Sequence, residues 1–327
     1  MLLKSVRKTD IRVVMVAVLA TLGLALSIGA VQQVSAQTAA NTLQVSPLRT
    51  DIEVAPGETG TVKIRVTNPA DEAIVIKPVQ NDFIAGDENG TPAIILDENE
   101  FAPSHSLKRF LAPIAEATIE PGATATVEAV INVPADAQAG GYFGAVRFIP
   151  SSAATGGQVN LSASVASLIL LTVSGDLVDN IEIKEFDIVQ GDKSGAAFFE
   201  PKDLKLTTLI ENKGNVQAGP FGKISVKSGN SVVYEADFNA NDPKDVILPD
   251  SSRRWDVPLE NIGAFGVYTV LATITYGKSN QTIEIAKTFW VVPPYVIAIA
   301  AAILLALVVW VVWLVFFRNK RKKFRKK

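Results

Sequence analysis

Period-two alternation dominates the middle of the chain. In Thr61–Thr67, Val62, Ile64 and Val66 alternate with Lys63, Arg65 and Thr67, which in an extended strand puts one face on a core and the other in water. Ile224 and Val226 alternate with Lys223, Ser225 and Lys227, and Tyr268, Val270, Ala272, Ile274 and Tyr276 share one face opposite Thr269, Leu271, Thr273 and Thr275. Ser167–Val173 is almost continuously apolar, the pattern of a central strand. No long amphipathic helix is written between the terminal segments. Short strands broken by turn residues predict an all-β region built of antiparallel β-sandwiches.

One unit recurs. Val54–Asp71 (VAPGETGTVKIRVTNPAD) aligns without gaps to Ile119–Asp136 (IEPGATATVEAVINVPAD), at an offset of 65 residues. Pro56-Gly57 and Pro121-Gly122 supply turns, a strand follows each, and Pro69 or Pro134 stops it. Convergent turn chemistry and duplication both produce such a pair. A half this short is small for a sandwich, so both copies are expected in one domain. Ser174-Gly175-Asp176 separates two strand-rich stretches, which predicts a first sandwich over 42–175 and a second over 176–292.

The ends place the chain. The uncharged run Tyr295–Phe317 is about 35 Å long as a helix, enough to cross a bilayer with some tilt. The basic tail 318–327 follows, with eight positive charges. Basic flanks stay cytoplasmic, so the predicted location is a cell membrane, single-pass, with the sandwiches extracytoplasmic and the tail inside against anionic lipid headgroups. Trp290 and Tyr295 on one side, and Trp313, Phe316 and Phe317 on the other, suit interfacial belts. At the opposite end, residues 1–36 read as a signal segment with a helical apolar core. Lys4, Arg7, Lys8 and Arg12 precede or open Val13–Val31, and Val34-Ser35-Ala36 offers a cleavage point between Ala36 and Gln37. Cleavage leaves one span; retention as a signal anchor leaves two, with both ends inside.

Charge and chemistry narrow the role. Formal net charge is −2, but with the two basic ends set aside the exported stretch carries an excess of about 13 negative charges. That argues against a nucleic-acid partner for the sandwiches. Cysteine is absent and His105 is the single histidine. Thiolate chemistry and His-rich metal sites are therefore excluded, and no nucleophile elbow or identifiable carboxylate pair stands in the chain. The expectation is a non-enzymatic protein without cofactor or metal. The acidic stretch Asp82–Glu100 lacks the spacing of an EF-hand and reads as a solvated loop. Gly140–Gly144 (GGYFG) permits a bend or a close approach of another chain. Its Tyr142 and Phe143 are candidate ligand-binding aromatics, either as a stacking surface for sugar or as core.

Several of these pieces, in order, resemble the WxL-interacting proteins of Gram-positive cell surfaces. The pieces are Leu43–Pro47, Pro56-Gly57 with Asn68-Pro69, Asn81-Asp82-Phe83, Ser106-Leu107, Ile119–Gly122, Ile131–Pro134 and Ala139–Gly144 with Val146–Phe148. Glu211–Val216 and Leu248–Arg253 match more loosely. The resemblance implies two tandem immunoglobulin-like antiparallel β-sandwiches, the first of a peptidoglycan-binding type and the second of a host-binding type, ahead of a transmembrane helix. The expected partners are cell-wall peptidoglycan or a surface protein; a structural or adhesive subunit that binds protein only is the alternative.

Overall fold

The computed structural model describes residues 43–151 and 164–324, with side chains in the final helix described through Val315. The expected signal segment, its Ala36–Gln37 junction and the side chains of the basic tail lie outside the described residues.

Two β-sandwiches make up the body of the molecule. In the first, β1 (Gln44–Ser46), β3 (Thr59–Thr67) and β7 (Thr124–Asn132) form one sheet in the order β1-β3-β7. The facing sheet runs β2 (Arg49–Val54), β9 (Val165–Val173), β8 (Gly140–Ser151), β4 (Ile74–Ala85) and β5 (Pro92–Ile94), with β6 (Ala117–Ile119) also on β4. The alternation of β3 lands as expected: Val62, Ile64 and Val66 are buried and the residues between them are not. They meet Ile76, Phe148, Ile169 and Leu171 across the core. The apolar run of β9 lies between β2 and β8, covered on both faces.

The second sandwich repeats the plan. One sheet is β11 (Lys193–Ser194), β10 (Ile181–Gln190), β13 (Leu204–Asn212) and β16 (Ser252–Pro258). The other is β12 (Ala197–Phe198), β18 (Gln281–Val291), β17 (Gly266–Tyr276), β14 (Phe221–Ser228) and β15 (Ser231–Phe238). Ile224 and Val226 of β14 and the Tyr268–Tyr276 face of β17 fill this core, as their alternation predicts.

Among the described strands, pairing is antiparallel except at two places. β2 runs parallel to β9, and the short β12 runs parallel to β18. The first exception arises because the opening strand changes sheets. β1 pairs with β3, and Pro47, which has no N–H to donate, ends that ladder. The chain then crosses to the facing sheet as β2.

The repeated units pair with each other. β3 and β7 are antiparallel neighbours, and Lys63 stands opposite Glu128, its own counterpart at the repeat offset. The flanking bonds obey the same pseudo-twofold: Val133 N–H donates to Glu58 O and Asn68 N–H to Ala123 O, both at 3.0 Å. Gly57 and Gly122 both have positive φ, 82° and 67°, which their turns require.

A second echo links the two sandwiches. Fully buried Asn68 follows β3 and fully buried Asn212 ends β13. Asn68 Nδ2 donates to Glu72 O and Ile119 O, and its Oδ1 accepts from Ala70 N–H. Asn212 Nδ2 donates to Val216 O and Ile247 O, and its Oδ1 accepts from Gly214 N–H. In both, the amide closes the loop that follows a strand and satisfies its backbone.

Helix α1 (Pro294–Phe324) begins almost directly after β18. Proline is suited to a first turn, where its missing N–H has no partner to lose. Pro294–Val315 has a mean hydropathy of 3.0 and none of it is covered by protein, so it is long and apolar enough to cross a membrane.

Candidate binding site at the sandwich junction

The site is organised by a buried carboxylate. Asp82 was expected in a solvated acidic loop, but it still belongs to β4 and is fully buried. Its Oδ2 accepts from Ala102 N–H at 2.9 Å and Ser106 Oγ–H at 2.6 Å, and its Oδ1 accepts from Lys108 N–H at 2.9 Å. A carboxylate with three such donors needs no cation to be tolerated inside. Neighbouring Asn81 donates to Ile95 O at 2.7 Å. Together they fold the 95–110 segment back over the sheet and bury Leu107.

That segment faces the start of β8. His105 has φ 58°, and its carbonyl accepts Phe143 N–H at 2.8 Å. Its Nδ1–H donates to Gly141 O at 2.6 Å, which leaves Nε2 as the free ring nitrogen. Gly140 has φ 149°, and a Cβ there would stand 2.6 Å from Asn215 O of the second sandwich. The glycine pair thus serves the close approach that its pattern allowed. Gly141 N–H donates to Asn215 O at 2.8 Å, Asn215 Nδ2 donates to Ala139 O at 3.1 Å, and Gln217 Nε2 donates to Thr172 Oγ1 at 2.9 Å.

The two candidate aromatics take opposite directions. Tyr142 is half-buried, with its ring 4.8 Å from Phe110 and its hydroxyl donating to Gln138 O at 2.9 Å. Burial pushes its phenol above the usual tyrosine range. Phe143 is 2% exposed and packs with Phe83 and Leu170 against Val246 and Leu248 of the second sandwich. Its ring presents no face to a dissolved ligand. Arg109 is exposed and stacks over Phe101 at 4.6 Å, whereas Arg147 is only partly exposed.

Tyr142, His105 and Arg109 come together around an open recess of about 470 Å³, closed on one side by Gln138–Gly140 and Asn215. No carboxylate lines it. In a body with excess acid, this is a pocket with a cation, an imidazole and an aromatic edge. Sequence reasoning missed His105, Asn215 and Asp82 as parts of this place. Only Asp82 left a signal, an acidic residue directly before the apolar pair Phe83-Ile84.

Ion pairs brace the junction from outside. Lys278 reaches Glu53 at 2.7 Å. Arg254 binds Glu185 at 2.7 Å and, across the junction, Glu88 at 2.8 Å. Those two carboxylates, Glu185 foremost, hold its guanidinium above its ordinary range. Water still reaches these groups, so Arg254→Ala should cost only about 0.5 kcal/mol, less at high salt. Denaturant melts of the two proteins at low and high salt check this; a loss of several kcal/mol would contradict it.

Comparison with protein-family models and with curated proteins finds no match. Solved structures offer likeness of shape. The class 5 fimbriae chaperone CfaA is 14% identical, covering 77% of this chain and 100% of its own, with a TM-score of 0.40. The E. coli chaperone DraB is 12% identical, covering 76% and 97%, with a TM-score of 0.34. The Pseudomonas aeruginosa chaperone CupB2 is 10% identical, covering 75% and 99%, with a TM-score of 0.32. At these levels the likenesses carry no functional argument. Among its described residues the chain is a two-sandwich β protein with one long apolar helix.

Proposed function

We propose that this is a non-enzymatic, single-pass cell-surface protein whose first sandwich binds cell-wall peptidoglycan. The recess between the 102–109 segment and the start of β8 carries this reading. Arg109 and His105 stand beside Tyr142 with no carboxylate in the lining. A sugar ring finds an aromatic edge there, and a lactyl or peptide carboxylate finds a cation. With no carboxylate in the lining itself, the repulsion that an acidic ectodomain would exert on anionic wall material is weaker at this recess. The resemblance to WxL-interacting proteins, whose matching pieces include Ser106, Ala139, Gly140 and Tyr142 of this recess but not His105 or Arg109, supports the same ligand. The second sandwich stands between the wall-binding domain and α1, and the basic tail lies against anionic headgroups on the cytoplasmic side.

A second reading, a scaffold that binds protein only, draws on β15. It lies at the edge of its sheet, with Val232 49% exposed, and an open edge accepts a partner strand. Co-sedimentation of the detergent-solubilised full chain with purified peptidoglycan separates the two. Saturable retention is expected, and Arg109→Ala should weaken it about tenfold, roughly 1.4 kcal/mol. Arg109 is exposed, so its loss should leave the fold intact. Tyr142→Ala should weaken retention similarly. No retention of the parent chain would overturn the wall-binding reading and favour the scaffold.

A further inference from the structure

The outer face of the β12-β18-β17 region changes character at one end. Along most of it the outward side chains are polar: Thr269 and Thr288 share a hydroxyl hydrogen bond, as do Thr275 and Thr282. At the last two rungs they turn apolar. Val267 pairs with Trp290, which pairs with Ala197. One step further, Phe265 precedes Gly266 and Phe199 follows Phe198, the two partners of Val291, and Val292 N–H donates to Phe198 O. The inward residues Tyr268, Phe289, Val291 and Phe198 already fill the core. Yet Val267 is 39%, Trp290 51%, Phe199 59% and Phe265 60% exposed. Apolar side chains contiguous on a polar face mark a contact surface.

Their position says what covers them. These rungs are where β18 ends, and α1 begins at Pro294. The opposite end of this sandwich holds Asn215, Gln217 and Lys278 and faces the first sandwich. Two residues of strand advance about 7 Å, and the polar layer on each side of a bilayer is about 6 Å deep. A sandwich tied this closely to a span cannot keep those rungs clear of the headgroups. Exposed Tyr295 continues the same aromatic zone into the helix. Charges of both signs are mixed at this end, with Asp192, Glu200, Asp203 and Glu260 against Lys193, Lys202 and Lys205, and leave no basic excess for anionic lipid. Apolar insertion rather than charge therefore drives the contact.

We infer that Phe199, Phe265, Val267 and Trp290 form a lipid-contact patch that seats the second sandwich in the outer headgroup layer beside its own span. This rests on the single-span reading above. The cysteine-free chain gives a direct test. Single variants Phe199→Cys, Phe265→Cys, Leu304→Cys and Ser279→Cys are labelled with an environment-sensitive fluorophore. Each full chain is reconstituted in phosphatidylcholine vesicles with or without nitroxide lipid. Nitroxide at the headgroup should quench positions 199 and 265 and leave 279, at the far end, bright. Nitroxide in the acyl chain should quench position 304. If 304 is quenched but 199 and 265 are not, the patch proposal is overturned and the span stands. If 304 is not quenched either, the span reading falls and takes the patch with it. Quenching at 199 and 265 that needs a second labelled copy, not nitroxide, would assign the patch to self-association and overturn the lipid assignment. Added anionic lipid should change none of these readings.

Discussion

Replacing Asp82 with alanine is expected to destabilise the first sandwich by about 4 kcal/mol, since each stranded buried donor costs roughly 1–3 kcal/mol. Ala102 N–H, Ser106 Oγ–H and Lys108 N–H all lose their acceptor, and the first two belong to buried residues. No other carboxylate is placed to replace it in the wall of the recess. The loss is local in cause and wide in effect, because the 95–110 segment carries Leu107 into the core and His105 to β8. Denaturant unfolding of the full chain in detergent gives the magnitude. Hydrogen exchange at Ala102 and Lys108 reads the mechanism, and their protection should collapse even under native conditions. Asp82→Asn keeps the shape but turns one oxygen into a donor, so it should fall between the two. A loss under 1 kcal/mol for the alanine variant would show that the loop is held by something else.

Phe143→Ala is expected to cost about 3–4 kcal/mol, the range for a large aromatic removed from a packed site. Its ring touches both sandwiches: Phe83 at 6.0 Å between centroids, with Leu170 on its own side and Val246 and Leu248 on the other. A cleft of about 200 Å³ lined by those same four residues already adjoins it. Removing the ring enlarges that space instead of letting the walls collapse. The polar clamps from Asn215 and Gln217 and the outer ion pairs would then act without it. Spin labels at Thr61→Cys and Asn230→Cys should report a broader inter-sandwich distance distribution in the alanine variant. An unchanged width would mean that the hydrogen bonds and ion pairs suffice to hold the junction.

The strands were legible where one face met a core and the other met water. β3, β14 and β17 follow that rule, and their buried residues are the ones their alternation named. β9 was legible for the opposite reason, an unbroken apolar run. β8 defeated both rules. Tyr142, Val146 and Phe148 pack on the first core, while Phe143 faces a neighbour that is far away in the chain. Its aromatic pair therefore looked like one surface when it is two. Asp82 misled because a tally of acids cannot tell where a strand stops and a loop starts. The self-pairing of the repeat was written in the sequence as similarity, but only the register reveals that the copies are partners. Trp290 and Tyr295 suggested an interfacial belt by their nearness to the span. Phe199, one residue past β12, and Phe265, one residue before β17, reach the same end of the sandwich, a relation no local pattern encodes.

The way β18 enters α1 has a mechanical consequence. An axial pull between α1 and the first sandwich would reach the second sandwich through the C-terminal end of β18 and leave it through the opposite end. β18 is registered against β17 from Gly266–Val291 to Tyr276–Gln281. Tension along that axis slides the two strands past each other, so the ladder's hydrogen bonds resist together and not one after another. A connection built in this way should stretch little and fail late under axial load.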